Sequence, residues 1–415
     1  MGARAKAAAA AAILVVTGVG LASADGVPWA LRRRAGVRPN LLVGERVHPE
    51  DWPPEPDSPA HVDPVRFAEA LEALCGWMPR GRAADYTAAI LPAADEFDVD
   101  PFLLGALVQR MGRCDRDQEA LEGIGLTLIP PRMYWHHVRD GTYRYFVREG
   151  GAWVERTLEL DRHPFHGARL KRPEANLYFA AAFLRVWREQ HPHLDEAFDQ
   201  PPHRHHVSHF IWGDRVRSDR AEDRVLLDRR RLLQYYGAIA PPAPVKRLGL
   251  ELGSPLDGAP RVISSFVGAD RDGGDRGHRG VDVESVLGEP VRAVADGKVV
   301  FAGVDLPGRR NHERMTPAEI EAVPRSDLGR GGRYVCLLHD RDDGGWVRSC
   351  SMHLEDVEVR HGQQVERGDR IGTVGRTGMR RSAPHLHLEL HGPDALLDPA
   401  DVLRGFLIGR KVEVP

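Results

Sequence analysis

The chain lacks most of the features that would settle its class at once. Only four of its 415 residues are cysteine, and no two of them form a Cys-x-x-Cys pair, which argues against a cysteine-based zinc site or a dithiol redox motif. Neither sign of charge is in excess: 57 Lys and Arg face 60 Asp and Glu, a net charge of −3. No basic surplus therefore points to nucleic acid as a partner. Apolar residues make up 42% and charged residues 28%, a balance that fits a globular protein and argues against long disorder or a multi-span membrane protein. At ~150 residues per domain, the length suggests two or three domains. Histidine is what the chain does have in number, with 20 residues. Chance clusters must follow, so any histidine motif has to rise above that background.

The N-terminus reads as a secretory signal over residues 1–24. Arg4 and Lys6 precede an apolar stretch from Ala7 to Leu21, and Ala22-Ser23-Ala24 supplies a small-x-small cleavage pattern. The alternative is an uncleaved anchor, for which the stretch is short against the ~20 residues of a span. Cleavage after Ala24 would give a periplasmic or secreted protein, in a compartment that permits disulfides. Cys75 and Cys114 fall in the N-terminal half, Cys336 and Cys350 in the C-terminal half. A hairpin centred near Asp343 would set Cys336 opposite Cys350, leaving a cross-strand bridge or two buried thiols as the choices.

Composition divides the rest into α and β parts, a multidomain α + β chain. Residues 25–62 are a Pro-rich arm. From 63 to 236 apolar residues recur at helical spacing in Pro64–Trp77, Tyr86–Phe97, Pro101–Arg113, Pro173–Gln190 and Glu222–Tyr236. Alternation around Glu149-Gly150-Gly151 inserts a hairpin over Tyr143–Leu160. Residues 237–259, with Pro241-Pro242-Ala243-Pro244, read as a linker. Over 260–404, short Val-rich runs alternate with Gly turns, the texture of an all-β domain, and 405–415 form a tail. Gly288-Glu289-Pro290-Val291 is echoed by Gly362-Gln363-Gln364-Val365, through a duplicated hairpin unit or by coincidence among 43 glycines. An irregular insertion, Asp305–Arg333, carries a Thr316-Pro317-Ala318-Glu319 capping box. It is either a lid or a tolerated surface loop.

The chemistry concentrates near the end. His-x-His occurs as His191/His193, His203/His205 and His385/His387. The first two lie in Pro- and charge-rich stretches and read as solvated. In a strand, His385-Leu386-His387-Leu388-Glu389-Leu390-His391 puts every polar group on one face and three leucines on the other. Upstream, His278 and Asp282 stand four apart beside a β run, and Ser351-Met352-His353 ends another. A zinc hydrolase needs three N/O ligands and an open fourth position for water. His278, Asp282 and one of His385/His387 would supply such a set, leaving a histidine to move protons.

His278-x-x-x-Asp282, Met352-His353-Leu354 and Pro384-His385-Leu386-His387 resemble the motifs of the lysostaphin-type zinc endopeptidases of bacterial cell walls. The frame around Ala295–Gly303 and Gly368–Gly378 is similar too, so the resemblance spans roughly residues 260–404. It implies a duplicated-hairpin zinc peptidase domain in which His278, Asp282 and His387 hold Zn²⁺. His353 and His385 would then assist water and stabilise the tetrahedral intermediate. The chain departs from the family in carrying Ser351 where a tyrosine is frequent, and Arg380-Arg381-Ser382-Ala383 before Pro384. The implied substrate is the peptide part of peptidoglycan.

Asp98-Val99-Asp100-Pro101 through Val108, then Gly123-Ile124-Gly125-Leu126 and Pro130, and later Asn176–Leu184, faintly resemble the soluble lytic transglycosylase domain. That resemblance implies a lysozyme-like helical domain. The alignment puts Met111 where the family has its catalytic Glu, and a thioether cannot protonate a glycosidic oxygen. Unless Asp115, Glu119 or Glu122 substitutes, the domain is expected to hold glycan strands without cleaving them, or to serve as a scaffold. Two other readings remain beside the peptidase: a non-enzymatic regulator of another wall hydrolase, with cell-wall or division proteins as partners, and a transglycosylase.

Overall fold

Asp63 and Asp100 each start a helix in the same way. Their carboxylates accept the backbone N–H of Arg66 and Phe102, and proline follows at N1. The helices are α1 (Pro64–Cys75) and α3 (Pro101–Arg110), with α2 (Arg82–Phe97) between them. This computed structural model describes residues 55–76, 78–79, 81–120, 123–139, 141–190, 205–213, 220–271, 276–308, 314–379 and 382–409. The expected signal at 1–24, the expected arm as far as residue 54, His191, His193, His203, Glu122, Arg380, Arg381 and the expected tail from 410 lie outside the described residues. Helix α4 (Pro173–Gln190) buries an unbroken run from Ala175 to Leu184 and packs against α2 and α5 (His205–Trp212), while α6 (Arg220–Tyr236) packs against α1 and α3. Strands β1 (Thr142–Glu149) and β2 (Ala152–Glu159) form the expected hairpin. Gly150 and Gly151 both take positive φ, as a two-residue turn of this hand requires. A disulfide joins Cys75 at the end of α1 to Cys114 beyond α3.

The placing of His203/His205 in a loop is corrected in part. His205 begins α5, whose Val207 and Phe210 are buried and whose Ser208 bonds to Glu222. The prolines and charges just before it mask a short apolar helix.

The C-terminal unit is built around an eleven-stranded sheet, with two short two-stranded pairings beside it among the described residues. Its labelled strands are β3 (Arg261–Ser265), β4 (Val281–Glu284), β5 (Pro290–Arg292), β6 (Gly297–Val304), β7 (Arg333–Asp340), β8 (Trp346–Val357), β9 (Arg370–Val374) and β10 (His385–His391). The main path runs β6-β7-β8-β10-β4-β3, and β9 pairs with both β5 and β8. One face carries the core, with Val281, Val283, Leu337, Leu354, Leu386, Leu388 and Leu390 buried together. The hairpin of β7 and β8 sets Cys336 opposite Cys350, and the disulfide between them is formed.

Residues 237–259 are more than a linker, which corrects the sequence expectation. Val245–Arg247 and Leu250–Leu252 pair as a hairpin, and Leu250, Leu252 and Leu256 enter the β core. The domain also runs past 404, since Leu407 and Ile408 add a parallel strand beside β3. The insertion makes its capping box at Thr316 and Glu319, and α7 (Pro317–Ala322) sends Ile320 into the same core. Among its described residues, this segment extends the core. No helix among the described residues is long and apolar enough to cross a membrane.

Charge joins the two units. Arg231 of α6 donates to Glu289 at 2.7 Å, and Arg261 of β3 donates to the same carboxylate at 2.9 Å. Asp228 accepts from Arg231 and from Arg110 of α3. Arg231, Glu289, Arg261 and Asp228 are all buried. Arg110 and Arg224 also reach Glu284 at the end of β4. Burial would raise the Glu289 carboxyl, but Arg231 and Arg261 outweigh it and bring it down to about 2. Removing one member of such a group strands the others uncompensated, so Glu289→Gln should lower the unfolding free energy by ~3–5 kcal/mol, measured with denaturant. Because the folded value lies below the ordinary 4.5, this contribution is complete above that pH and is lost as pH falls through about 2. The acid limb of stability over that window should therefore flatten in the variant. An unchanged free energy would contradict the network's role.

Candidate metal centre

The alternation of β10 is realised as the pattern demands. Leu386, Leu388 and Leu390 enter the core, while His385, His387, Glu389 and His391 share the other face. Antiparallel pairing of β4 with β10 puts Asp282 opposite His387 and Glu284 opposite His385. His278 arrives from the turn before β4. Its backbone N–H donates to Ala269 and its carbonyl accepts from Gly268, folding the side chain onto the same face. His278 Nε2 then lies 2.9 Å from His387 Nδ1 and 3.1 Å from Asp282 Oδ1, and His387 Nδ1 lies 2.9 Å from that oxygen. Of the described residues, these three form the cluster able to hold a metal ion, and all are buried.

His353 reaches the site through a break in the strand. Val335 pairs with Ser351 and Arg333 with Leu354, so β8 carries one extra residue over that interval. Met352 already faces His387, so strict alternation would turn His353 towards the core. At the bulge His353 instead adopts φ +64°, a left-handed conformation uncommon outside glycine. Its N–H donates to Gly331 at the end of the insertion, and Thr377 accepts from its Nδ1 at 3.0 Å. The ring centre ends 5.4 Å from that of His385 and 5.7 Å from that of His387. All five sequence-predicted site residues therefore meet.

Hydrogen bonds fix which nitrogens face inward. A carbonyl only accepts, so the Nδ1 of His278, His353 and His385, bonded to Phe266, Thr377 and Ala383, carries the proton. Each Nε2 keeps its lone pair. His387 is turned the other way, with Nδ1 facing the cluster and Nε2 donating to Glu389, which also accepts from His391 at 2.8 Å. When His387 gives up the proton on Nδ1, two imidazole lone pairs and one carboxylate oxygen converge, a donor set that suits zinc, and His278 and His387 each have an outer partner that orients them.

The electrostatics follow from this crowding. Burial disfavours the Asp282 carboxylate, but the imidazoles of His278 and His387 beside it outweigh burial and hold the group well below the usual carboxylate range. Burial lowers His353 to about 3, with His387 and His385 adding to the effect. His385 is lowered, mainly by burial. His387 is raised despite burial, by its bonds to Asp282 and Glu389.

Beyond the cluster, the same face continues over Met352, the Cys336–Cys350 disulfide and Phe301 stacked on Tyr334 at 4.0 Å. No sequence pattern announces this apolar floor, since its members are spread over residues 301–352. Glu389 was visible two residues after His387, but its bond to the imidazole was not. Ser351 points away from the site, opposite Leu388. In the helical unit Met111 caps α3 and packs on the core, Glu119 pairs with Lys171, and Asp115 accepts from Asp117. In the metal-free protein, imidazole ¹⁵N shifts should show His353 neutral down to about pH 3, while His387 holds its proton above the ordinary 6.5. A His353 that titrates near 6.5 would contradict the burial account.

Comparison with known proteins converges on the same segment. Residues 276–399 match Peptidase family M23. The peptidoglycan DD-endopeptidase ShyA of Vibrio cholerae is 34% identical over 113 residues, 27% of this chain and 20% of that protein. The murein hydrolase activator NlpD of Salmonella dublin is 29% identical over 145 residues, 35% of this chain and 29% of that protein. The chain thus spans less than a third of the length of these relatives. The catalytic domain of lysostaphin from Staphylococcus simulans aligns at 29% identity and a TM-score of 0.25, covering 34% of this chain and 89% of that domain. The C-terminal region of this chain is a peptidase family M23 domain.

Proposed function

We propose that this chain is an exported zinc endopeptidase that hydrolyses peptide bonds in the cross-links or stems of peptidoglycan. The observation that carries the proposal is the convergence of His278, Asp282 and His387 with both His353 and His385 on one sheet face. The three ligands would hold zinc, which supplies Lewis acidity to the scissile carbonyl and lowers the pKa of water. The remaining steps fall to the chain's own groups. His353 and His385 are neutral and offer Nε2 as acceptor, since each Nδ1–H is committed to a backbone carbonyl. One of them takes the proton from the attacking water and returns it to the leaving amine as the C–N bond breaks. The imidazolium formed in between sits beside the developing oxyanion and stabilises it. The apolar floor of Met352, Phe301 and Tyr334 would bed the side chains flanking the scissile bond.

The helical unit has Met111 where the transglycosylase resemblance would need an acid, and we assign it a glycan-holding role. A cavity of about 580 Å³, lined by Trp135, Asp161, His163 and Phe165 among others, offers an aromatic face and polar groups to a sugar ring. A regulatory reading also has support, because a relative named as a murein hydrolase activator matches the same domain. Such a role does not require the complete set of five residues.

The mature protein should bind about one zinc per chain, from its single ligand set, and release peptides from peptidoglycan, read by mass spectrometry. His278→Ala should lose both metal and activity, and His385→Ala should lose activity while keeping most of the metal. A zinc-loaded protein that leaves peptidoglycan intact, as both variants do, would favour the regulator. Trp135→Ala should weaken retention on insoluble peptidoglycan with zinc content unchanged. Equal retention would remove the glycan assignment.

A further inference from the structure

We infer that Arg271 is a positioning residue that restricts Asp282 to one-oxygen metal ligation. The inference rests on the metal reading above. The two oxygens of Asp282 have separate surroundings. Oδ1 faces His278, His387 and, at 3.5 Å, His385 Nε2. Oδ2 is turned away from that cluster and accepts from Arg271 Nη2 at 2.5 Å. The same Nη2 reaches Ser265 Oγ at 3.1 Å, and that hydroxyl lies 3.4 Å from His278 Nδ1.

The local fold explains why Arg271 is there. Asp270–Arg271 pairs with Arg276–Gly277, with Arg271 opposite Arg276. The returning strand leads directly into His278. One hairpin therefore delivers a metal ligand and the group that restrains a second ligand. The guanidinium is only partly exposed, while Asp282 is buried. A charge-assisted bond to a buried carboxylate is strong and directional. It occupies the lone pair that would otherwise let Asp282 bind through both oxygens. With Oδ2 held, the protein contributes three donor atoms and the fourth position stays open for water or substrate. With Oδ2 released, the carboxylate can rotate and close that position. The non-ligating oxygen is thus part of the site's design, although the sequence spacing gives no hint of its partner.

The test uses the full-length protein with Arg271→Gln and Arg271→Lys, and reads metal binding rather than cleavage. Competition against a chromogenic chelator should show zinc affinity reduced by roughly 10–100-fold in the Gln variant, and by less in the Lys variant, which keeps a cation near Oδ2. Cobalt(II) in place of zinc should give the intense visible bands of four-coordination in the wild type. In the Gln variant they should weaken towards a five-coordinate spectrum, and in the Lys variant they should persist. A merely structural role for Arg271 would leave the cobalt spectrum unmoved. Wild-type affinity and spectrum in the Gln variant would overturn the proposal, as would a five-coordinate spectrum in the wild type. If the Gln variant does not fold, a Lys variant with wild-type zinc affinity would equally overturn it. A wild type that takes up no metal would defeat the metal reading and this inference together. A wild type that loads zinc and cleaves, with variants indistinguishable from it in metal binding, would defeat this inference alone.

Discussion

The pairing of Asp282 with His387 across two antiparallel strands is the constraint on which the rest of the site depends. Side chains alternate along a strand, so a slip of one residue would send Asp282 into the core and bring Val281 or Val283 beside the histidines. The leucines of β10 prevent the slip. Leu386, Leu388 and Leu390 are buried with Val281 and Val283 on the opposite face, and displacing them would expose several large apolar side chains at ~1.5–3 kcal/mol each. Hydrophobic burial on one face thereby fixes polar geometry on the other. The ligands themselves need contribute little to holding their own positions.

Features that depend on local periodicity or local turns were legible in the sequence. The split of β10 into a polar and a leucine face, the hairpin that brings Cys336 to Cys350, the capping box at Thr316 and the Gly150-Gly151 turn all follow from residues within a few positions of each other. The four site histidines and Asp282 are legible through spacing and resemblance together. What stayed hidden depends on contacts between distant segments. The bulge at His353 requires Gly331 and Thr377, and nothing near Met352 announces it. Arg271 becomes meaningful only when its hairpin closes on β4. Helix α5 was lost because residues 201–206, Pro-Pro-His-Arg-His-His, dominate the pattern just ahead of Phe210.

The insertion and the bulge also bear on one another. Holding a non-glycine residue at positive φ costs on the order of 1–3 kcal/mol, so surrounding contacts must over-determine it. Here Gly331 accepts the His353 N–H, while Thr377 binds the imidazole through its carbonyl and bridges Arg333 and Leu354 through its hydroxyl. Ile320, Met315 and Leu328 anchor the insertion in the core. The long excursion between β6 and β7 therefore ends as a brace for the His353 imidazole.

The buried charges between the two units set a limit on how the chain can be divided. A boundary drawn through Pro241–Pro244 looks convenient, since the hairpin at Val245–Leu252 begins just after it. A fragment starting there would shed Arg231 and keep Glu289, whose remaining side-chain partners would be Arg261 and Ser285. It would also shed Arg110 and Arg224, leaving Glu284 unaccompanied at the end of the strand that carries Asp282. For the same reason, a foreign module grafted in place of the helices would have to bring its own cations to the same three points. In this chain, a swap that keeps the two domains together preserves these pairs.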